Sequence, residues 1–145
     1  MIIGEYQNKI GDKKRAAIPK KFRDQMGEDL ILTRGYEGSL ILVNKQMWEN
    51  IGKEIMNGSF INKNIRETTR FLIGSAVEVK LDPQGRFVIP QSLYDYAKMD
   101  SEITFVGLVN WVEIWSTKSW KAKIEEVSLN SEEISEQLTK EVHNE

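Results

Sequence analysis

The apolar positions change period along the chain, and the changes mark its elements. Ile3 to Ile10 reads as a strand of mixed pattern, and Gly11 to Lys14 as a turn. Arg15 to Ile18 resumes as a short strand that Pro19 ends, because proline cannot donate to a ladder. Proline also suits the first turn of a helix, so Lys20 to Met26 is expected as a short helix closed by Gly27. Leu30 to Thr33 and Ser39 to Val43 flank the turn Gly35-Tyr36-Glu37-Gly38, which is a hairpin signal. Asn44 is a helix cap, and Met47, Trp48, Ile51 and Ile55 follow at helical spacing up to Gly58.

This order recurs. Lys14-Arg15-Ala16-Ala17-Ile18-Pro19 is echoed 71 positions later by Gly85-Arg86-Phe87-Val88-Ile89-Pro90. At an offset of 72, Gly35 pairs with Gly107, Leu42 with Ile114 and Trp48 with Trp120. The second copy therefore predicts strands over Ala76 to Leu81 and Arg86 to Ile89, with a turn at Asp82 to Gly85 between them. A helix up to Ala97 comes next, then strands near Ile103 to Val106 and Trp111 to Trp115. Ser116 stands where Asn44 did, ahead of a helix carrying Trp120, Ile124 and Val127.

The organisation expected is a first module over 1–57, a connecting helix in 58–74, a second module over 75–127 and an acidic helix or tail over 128–145. In the connecting segment Asn62 to Ile73 reads as a helix. In the tail Ser131 is a capping residue, and Ile134, Leu138 and Val142 form a narrow stripe too thin to be stable unpartnered. One module has too few strands to stand alone. Two interleaved modules can make one small closed or near-closed sheet and so remove edges. The fold class is thus α+β, with duplicated strand-loop-strand-helix units around one β-barrel-like core and helices at its periphery.

Composition adds bounds. With 145 residues, 40% hydrophobic and 29% charged, the chain matches an ordinary soluble domain able to bury a sizeable core. No cysteine occurs, which removes disulfides and thiolate metal sites and fits a reducing compartment. The start Met1-Ile2-Ile3-Gly4-Glu5 lacks the pattern of a signal peptide and no apolar run suits a membrane span, so a cytoplasmic location is expected. The net charge of −2 conceals an asymmetry. Residues 9–23 hold Lys9, Lys13, Lys14, Arg15, Lys20, Lys21 and Arg23 against Asp12 alone, a net of +6, whereas residues 121–145 sum to −4. An approaching polyanion feels the local field, because charges beyond about 10 Å are screened.

Catalysis finds little support. The lone histidine, His143, is the third residue from the end, and neither GxxxxGK[ST] nor GxGxxG occurs. Glu78-Val79-Lys80 with Asp82 has the form of a metal-dependent nuclease element, but alternating charges on a strand are far more often a solvated face. No enzyme, cofactor, metal or small-molecule substrate is expected. A basic loop between two strands does suit DNA. Several close cations release counterions from phosphates, and an arginine can grip guanine O6 and N7 bidentately. The competing reading of such a run is a solvated surface loop. For Arg86, whose surroundings over 78–90 sum to zero, the heavier reading is a salt bridge to Asp82.

At these residues the chain resembles the MraZ family of bacterial regulators of the division and cell-wall gene cluster. Ile3-Gly4-Glu5-Tyr6, Leu32-Thr33-Arg34-Gly35, Asp82-Pro83-Gln84-Gly85-Arg86 and Glu113-Ile114-Trp115 carry the likeness over nearly the whole chain. The resemblance implies two fused modules similar to the AbrB/SpoVT swapped-hairpin fold. It also implies a ring-like homo-oligomer on the nucleoid that binds short direct repeats of double-stranded promoter DNA. Lys9, Lys13, Lys14, Arg15 and Arg86 are the expected DNA-binding residues, and Asp12, Asp82 and Gly85 the expected loop-structuring ones. Asp82 and Arg86 fit the family's Asp-x-x-x-Arg signature. The first copy departs from it, with Gly11 at the aspartate position and Lys14 at the glycine position, so Arg15 is less restrained unless Asp12 takes over. The alternative is a protein–protein module like the antitoxins of the AbrB-type fold.

Overall fold

The computed structural model describes residues 1–144, and Glu145 lies outside them. Strands β1 (Ile2–Lys9) and β2 (Arg15–Ala17) precede helix α1 (Lys20–Met26). The hairpin β3 (Leu30–Arg34) and β4 (Leu40–Asn44) leads into α2 (Lys45–Met56) and α3 (Lys63–Thr68). The second copy supplies β5 (Val77–Val79), β6 (Arg86–Val88), α4 (Gln91–Tyr96), β7 (Glu102–Val109), β8 (Val112–Ser116) and α5 (Thr117–Leu129). Helix α6 (Ser131–Asn144) closes the chain.

The two copies are wound through each other. One antiparallel sheet has the order β1-β7-β8-β4-β3-β5, and β2 pairs with β6 in a separate two-stranded ribbon. Thus β1 of the first copy adds to the β7–β8 hairpin of the second, with Ile2 opposite Val109 and Lys9 opposite Glu102. In return β5 of the second copy adds to the β3–β4 hairpin of the first, with Leu30 opposite Val79. The hairpins join along β4 and β8, where Leu42 faces Val112. The expectation of interleaved strands holds in this form: the sheet is open, with β1 and β5 as its two edges.

This winding makes one core from both repeats. Ala16 and Phe87 from the ribbon, Phe22 from α1, Leu93 from α4 and Leu32, Leu42, Phe105 and Ile114 from the sheet share a single buried cluster. Phe22 is fully buried and meets Tyr6 edge to face, with ring centroids 5.0 Å apart. Truncating such a phenylalanine costs about 3–5 kcal/mol.

Local signals set most helix ends. The Asn44 carboxamide oxygen accepts the Met47 amide at 2.8 Å, and the Ser116 hydroxyl accepts the Ser119 amide at 3.1 Å, so both expected caps are in place. The connecting helix keeps its expected span but changes type within it. After Thr68 it widens into a π-type turn over Thr69–Ile73. The reason lies across the interface: β3 takes the released carbonyls, as the Thr33 hydroxyl donates to Leu72 and Arg34 Nε donates to Phe71 at 3.2 Å. Ser131 is the first residue of α6, and its hydroxyl donates to the Ser128 carbonyl at 3.2 Å in place of accepting a capping amide.

Candidate nucleic-acid interface

The β2–β6 ribbon carries both arginines singled out by the repeat. Its register sets Arg15 opposite Val88, Ala16 opposite Phe87 and Ala17 opposite Arg86. Side chains alternate across a strand, so Ala16 and Phe87 enter the core while Arg15, Ala17, Arg86 and Val88 share the outer face. Arg15 and Arg86 are diagonal neighbours on that face, a relation that places Cβ atoms roughly 7–8 Å apart. Their short partners leave the surface between them low, and Val88 is 56% exposed. Both arginines line one open depression of about 470 Å³ with Lys80, Asp82 and Gln84.

The turns feeding the two strands have one backbone design. The Gly11 amide donates to the Arg15 carbonyl at 2.8 Å, and the Asp82 amide donates to the Arg86 carbonyl at 2.9 Å. Each turn is also tied to the opposite strand: the Ile89 amide donates to Lys14 and the Ile18 amide to Gly85, both at 3.0 Å.

Side chains complete the turns differently. In the second, one Asp82 carboxylate oxygen accepts the Gln84 and Arg86 amides, each at 2.9 Å, and the other accepts Arg86 Nε at 2.8 Å. The Arg86 amide, with the Arg86 guanidinium and the Gln84 amide, holds the Asp82 carboxyl below its ordinary range, against an opposing desolvation. The salt bridge expected for Arg86 is therefore present. It engages Nε, and among the described residues neither terminal nitrogen makes an ion pair.

In the first turn Gly11 offers no carboxylate. Asp12 is exposed and contributes its carbonyl alone, which accepts the Arg15 amide. Among the described residues no carboxylate lies within ion-pair distance of Arg15. Lys13 and Lys14 adopt left-handed φ of 60° and 57°, a conformation costing an L-residue about 1–2 kcal/mol. Lys14 thus takes the conformation its counterpart Gly85 adopts at φ 76°. The Lys14 ammonium stands 5.7 Å from the centroid of the Tyr94 ring, a contact worth about 0.5–1 kcal/mol at an exposed site.

The remaining candidates divide. Lys9 is exposed at the end of β1, in register with Glu102, and is not part of the arginine-lined depression. Glu78 is exposed on edge strand β5, and Asp82 is committed to its turn, so the nuclease-like reading finds no shared ion position. Among the described residues no group of three or more His, Asp or Glu gathers where one ion could be held. No described helix is long and apolar enough to cross a membrane. Arg23, counted with the basic run of the first repeat, stands instead at the second turn. Its guanidinium lies directly over Gly85, where a Cβ would overlap it. The signal was available in the repeat: Arg23 occupies the position equivalent to Tyr94, which covers Lys14.

Comparison with known proteins matches this arrangement twice over. A family model described as "MraZ protein, putative antitoxin-like" matches residues 1–71 and again 72–142. Proteins named transcriptional regulator MraZ are similar along nearly their whole length. The one from Caldanaerobacter subterraneus subsp. tengcongensis is 36% identical over 138 residues, 95% of this chain and 96% of its own. That of Acetivibrio thermocellus is 34% identical over 138 residues, with the same coverage. That of Clostridium tetani is 34% identical over 139 residues, 96% of this chain and 97% of its own.

Proposed function

Since the chain belongs to the MraZ family of transcriptional regulators, we propose that it binds duplex promoter DNA through the outer face of the β2–β6 ribbon. One observation carries the reading: two arginines from different repeats stand diagonally on the exposed face of a two-stranded ribbon, between small or short neighbours. A ribbon of this kind fits a major groove about 12 Å wide. Arg15 and the free fork of Arg86 are the base-reading groups, with Ala17 and Val88 meeting thymine methyls between them. Lys13 and Lys14 neutralise flanking phosphates, with Lys9 further out.

One such ribbon gives few contacts and little affinity. A ring-like homo-oligomer on short direct repeats near the promoter of the division and cell-wall genes multiplies them by effective concentration, provided repeat spacing matches ribbon spacing. The regulator then acts at the nucleoid in the cytoplasm. Fluorescence-anisotropy titration on a repeat-bearing duplex across a salt series tests this. Each neutralised phosphate contributes about 0.9 to the fall of log K with log salt, so a slope well above what the four cations Lys13, Lys14, Arg15 and Arg86 supply is expected. A slope of one or two phosphates contradicts multivalent binding.

A further inference from the structure

Arg23 on α1 and Tyr94 on α4 hold equivalent positions in the two repeats, and each covers the turn of the other repeat. The two turns stand at opposite ends of the β2–β6 ribbon. At the first, the left-handed residue is itself the cation, and the Lys14 ammonium stands over the Tyr94 ring. At the second, the left-handed residue is Gly85, and the cation comes from the helix. A Cβ at residue 85 would overlap Arg23 Nη1 and come within 2.7 Å of its Cζ, so the guanidinium rests against the bare backbone of the turn. Cation and platform are thus exchanged between the two ends, and each end keeps one positive charge beside its turn.

The Arg23 charge is open to a ligand. Among the described residues no carboxylate lies within ion-pair distance of it. Asp82, the carboxylate of the turn it covers, has both oxygens occupied by the Gln84 and Arg86 amides and by Arg86 Nε. Arg23 is only partly buried and lines an open depression of about 690 Å³. Lys80, Asp82 and Pro83 line this depression and also the one that holds Arg15 and Arg86, so Arg23 adjoins the arginine face without being on it. Asp24, Glu28 and Asp29 line the Arg23 depression as well. A small free anion entering it meets those carboxylates, whereas a backbone phosphate is brought to the turn by a duplex already seated on the ribbon.

We propose that Arg23 contacts a DNA phosphate beside the second turn, as Lys14 does beside the first, so that the base-reading face is flanked by one cation at each end. This role rests on the DNA-binding reading of the ribbon. It supplies the second turn with the charge its own segment lacks, since residues 78–90 sum to zero. A phosphate contact fixes the seating of the ribbon on the duplex and carries no sequence information. Gly85 then serves twice, taking the left-handed conformation and leaving room for the guanidinium.

Fluorescence anisotropy on promoter repeats and on a scrambled duplex, each across a salt series, tests this with three variants. Arg23→Gln removes the charge and keeps much of the stem. It is expected to weaken binding to both duplexes by the same factor and to lower the salt slope by about 0.9 for each Arg23 in contact. Arg23→Lys keeps the charge and is expected to keep the parental slope. A parental slope in Arg23→Gln overturns the proposal. So does a loss confined to the repeats, or one that Arg23→Lys shares in full, because a residue that only positions the turn acts through Arg86 and not through its own charge. A readout that does not depend on the folding of the Arg23 variants comes from Lys14→Gly combined with Tyr94→Arg, which rebuilds the second turn's pairing at the first. This double variant is expected to regain the slope that Lys14→Gly loses, and failure to regain it contradicts the exchange. Arg15→Ala in the same assay separates the two readings. Lost preference there beside a parental slope in Arg23→Gln rejects the role of Arg23 alone, whereas an Arg15→Ala that binds like the parent rejects the ribbon reading itself.

Discussion

The turn before β2 and the turn before β6 have the same backbone hydrogen bonds but are held by opposite means. The second is held by its own side chains: Asp82 takes two amides and the guanidinium of Arg86, and Gly85 supplies the left-handed residue without strain. The first has neither device. Its left-handed positions are lysines, its aspartate is displaced by one residue, and its arginine has no anchoring carboxylate. Shared main-chain ties to Ile18 and Ile89 impose the geometry on both. Once the interleaved fold dictates the path of the turn, its side chains become free to serve another purpose. The first turn uses that freedom to gather charge, and the second uses its side chains to order an arginine in advance.

The comparison breaks most visibly on the surface the two turns share. Val88 is exposed, so Val88→Glu should leave folding intact while placing a carboxylate opposite Arg15 and two residues along β6 from Arg86. Loss of at least about 100-fold in DNA affinity is expected by anisotropy titration, since a like-charge juxtaposition at an interface costs several kcal/mol. A variant that binds as well as the parent would remove the ribbon face from the interface.

A smaller effect sharpens the contrast in backbone strain. Lys14→Gly gives the first turn the residue the second already has. Relief of the left-handed strain is nearly offset by the lost Tyr94 contact and the entropy of glycine, so a change of less than about 0.5 kcal/mol is expected in denaturant unfolding. The same variant should bind DNA more weakly, with a salt slope lower by about 0.9 for each Lys14 in contact. Affinity thus falls without a matching loss of stability.

The smallest expected effect is in pH dependence. The Asp82 carboxyl has a folded pKa below its unfolded value, so its contribution to stability is fully present above about pH 4 and is lost as pH falls through the folded value. Denaturant midpoints of the parent and of Asp82→Asn should therefore differ at pH 7 and converge as pH falls through the folded value. A difference that persists unchanged into acid would mean that the Asp82 charge does not hold its turn.

Much of this was legible in the sequence because it is local or repeats. Pro19 and Gly27 bracket α1 at the expected residues, and Asn44 and Ser116 cap as their positions imply. The offset of 71 aligned the two turns and led to interleaved strands. Contacts between repeats were less legible. Arg15 and Arg86 share a face only because β2 pairs with β6, a register no local pattern encodes. Charge counted along residues 78–90 likewise missed Arg23, which reaches Gly85 from α1 of the other repeat. The π-type turn at Thr69–Ile73 has its carbonyls meeting Thr33 and Arg34 on β3, so helical spacing alone marked the span and not the widening.

The central claim is that the ribbon reads DNA with its two arginines in unequal roles. Gel-shift titration of Arg15→Ala and Arg86→Ala, each on promoter repeats and on a scrambled duplex of equal length, tests it most directly. The account predicts that Arg15→Ala abolishes the preference for the repeats, while Arg86→Ala lowers it by about tenfold, the 1–3 kcal/mol worth of one base contact setting the scale. Equal and small effects of the two substitutions would contradict it.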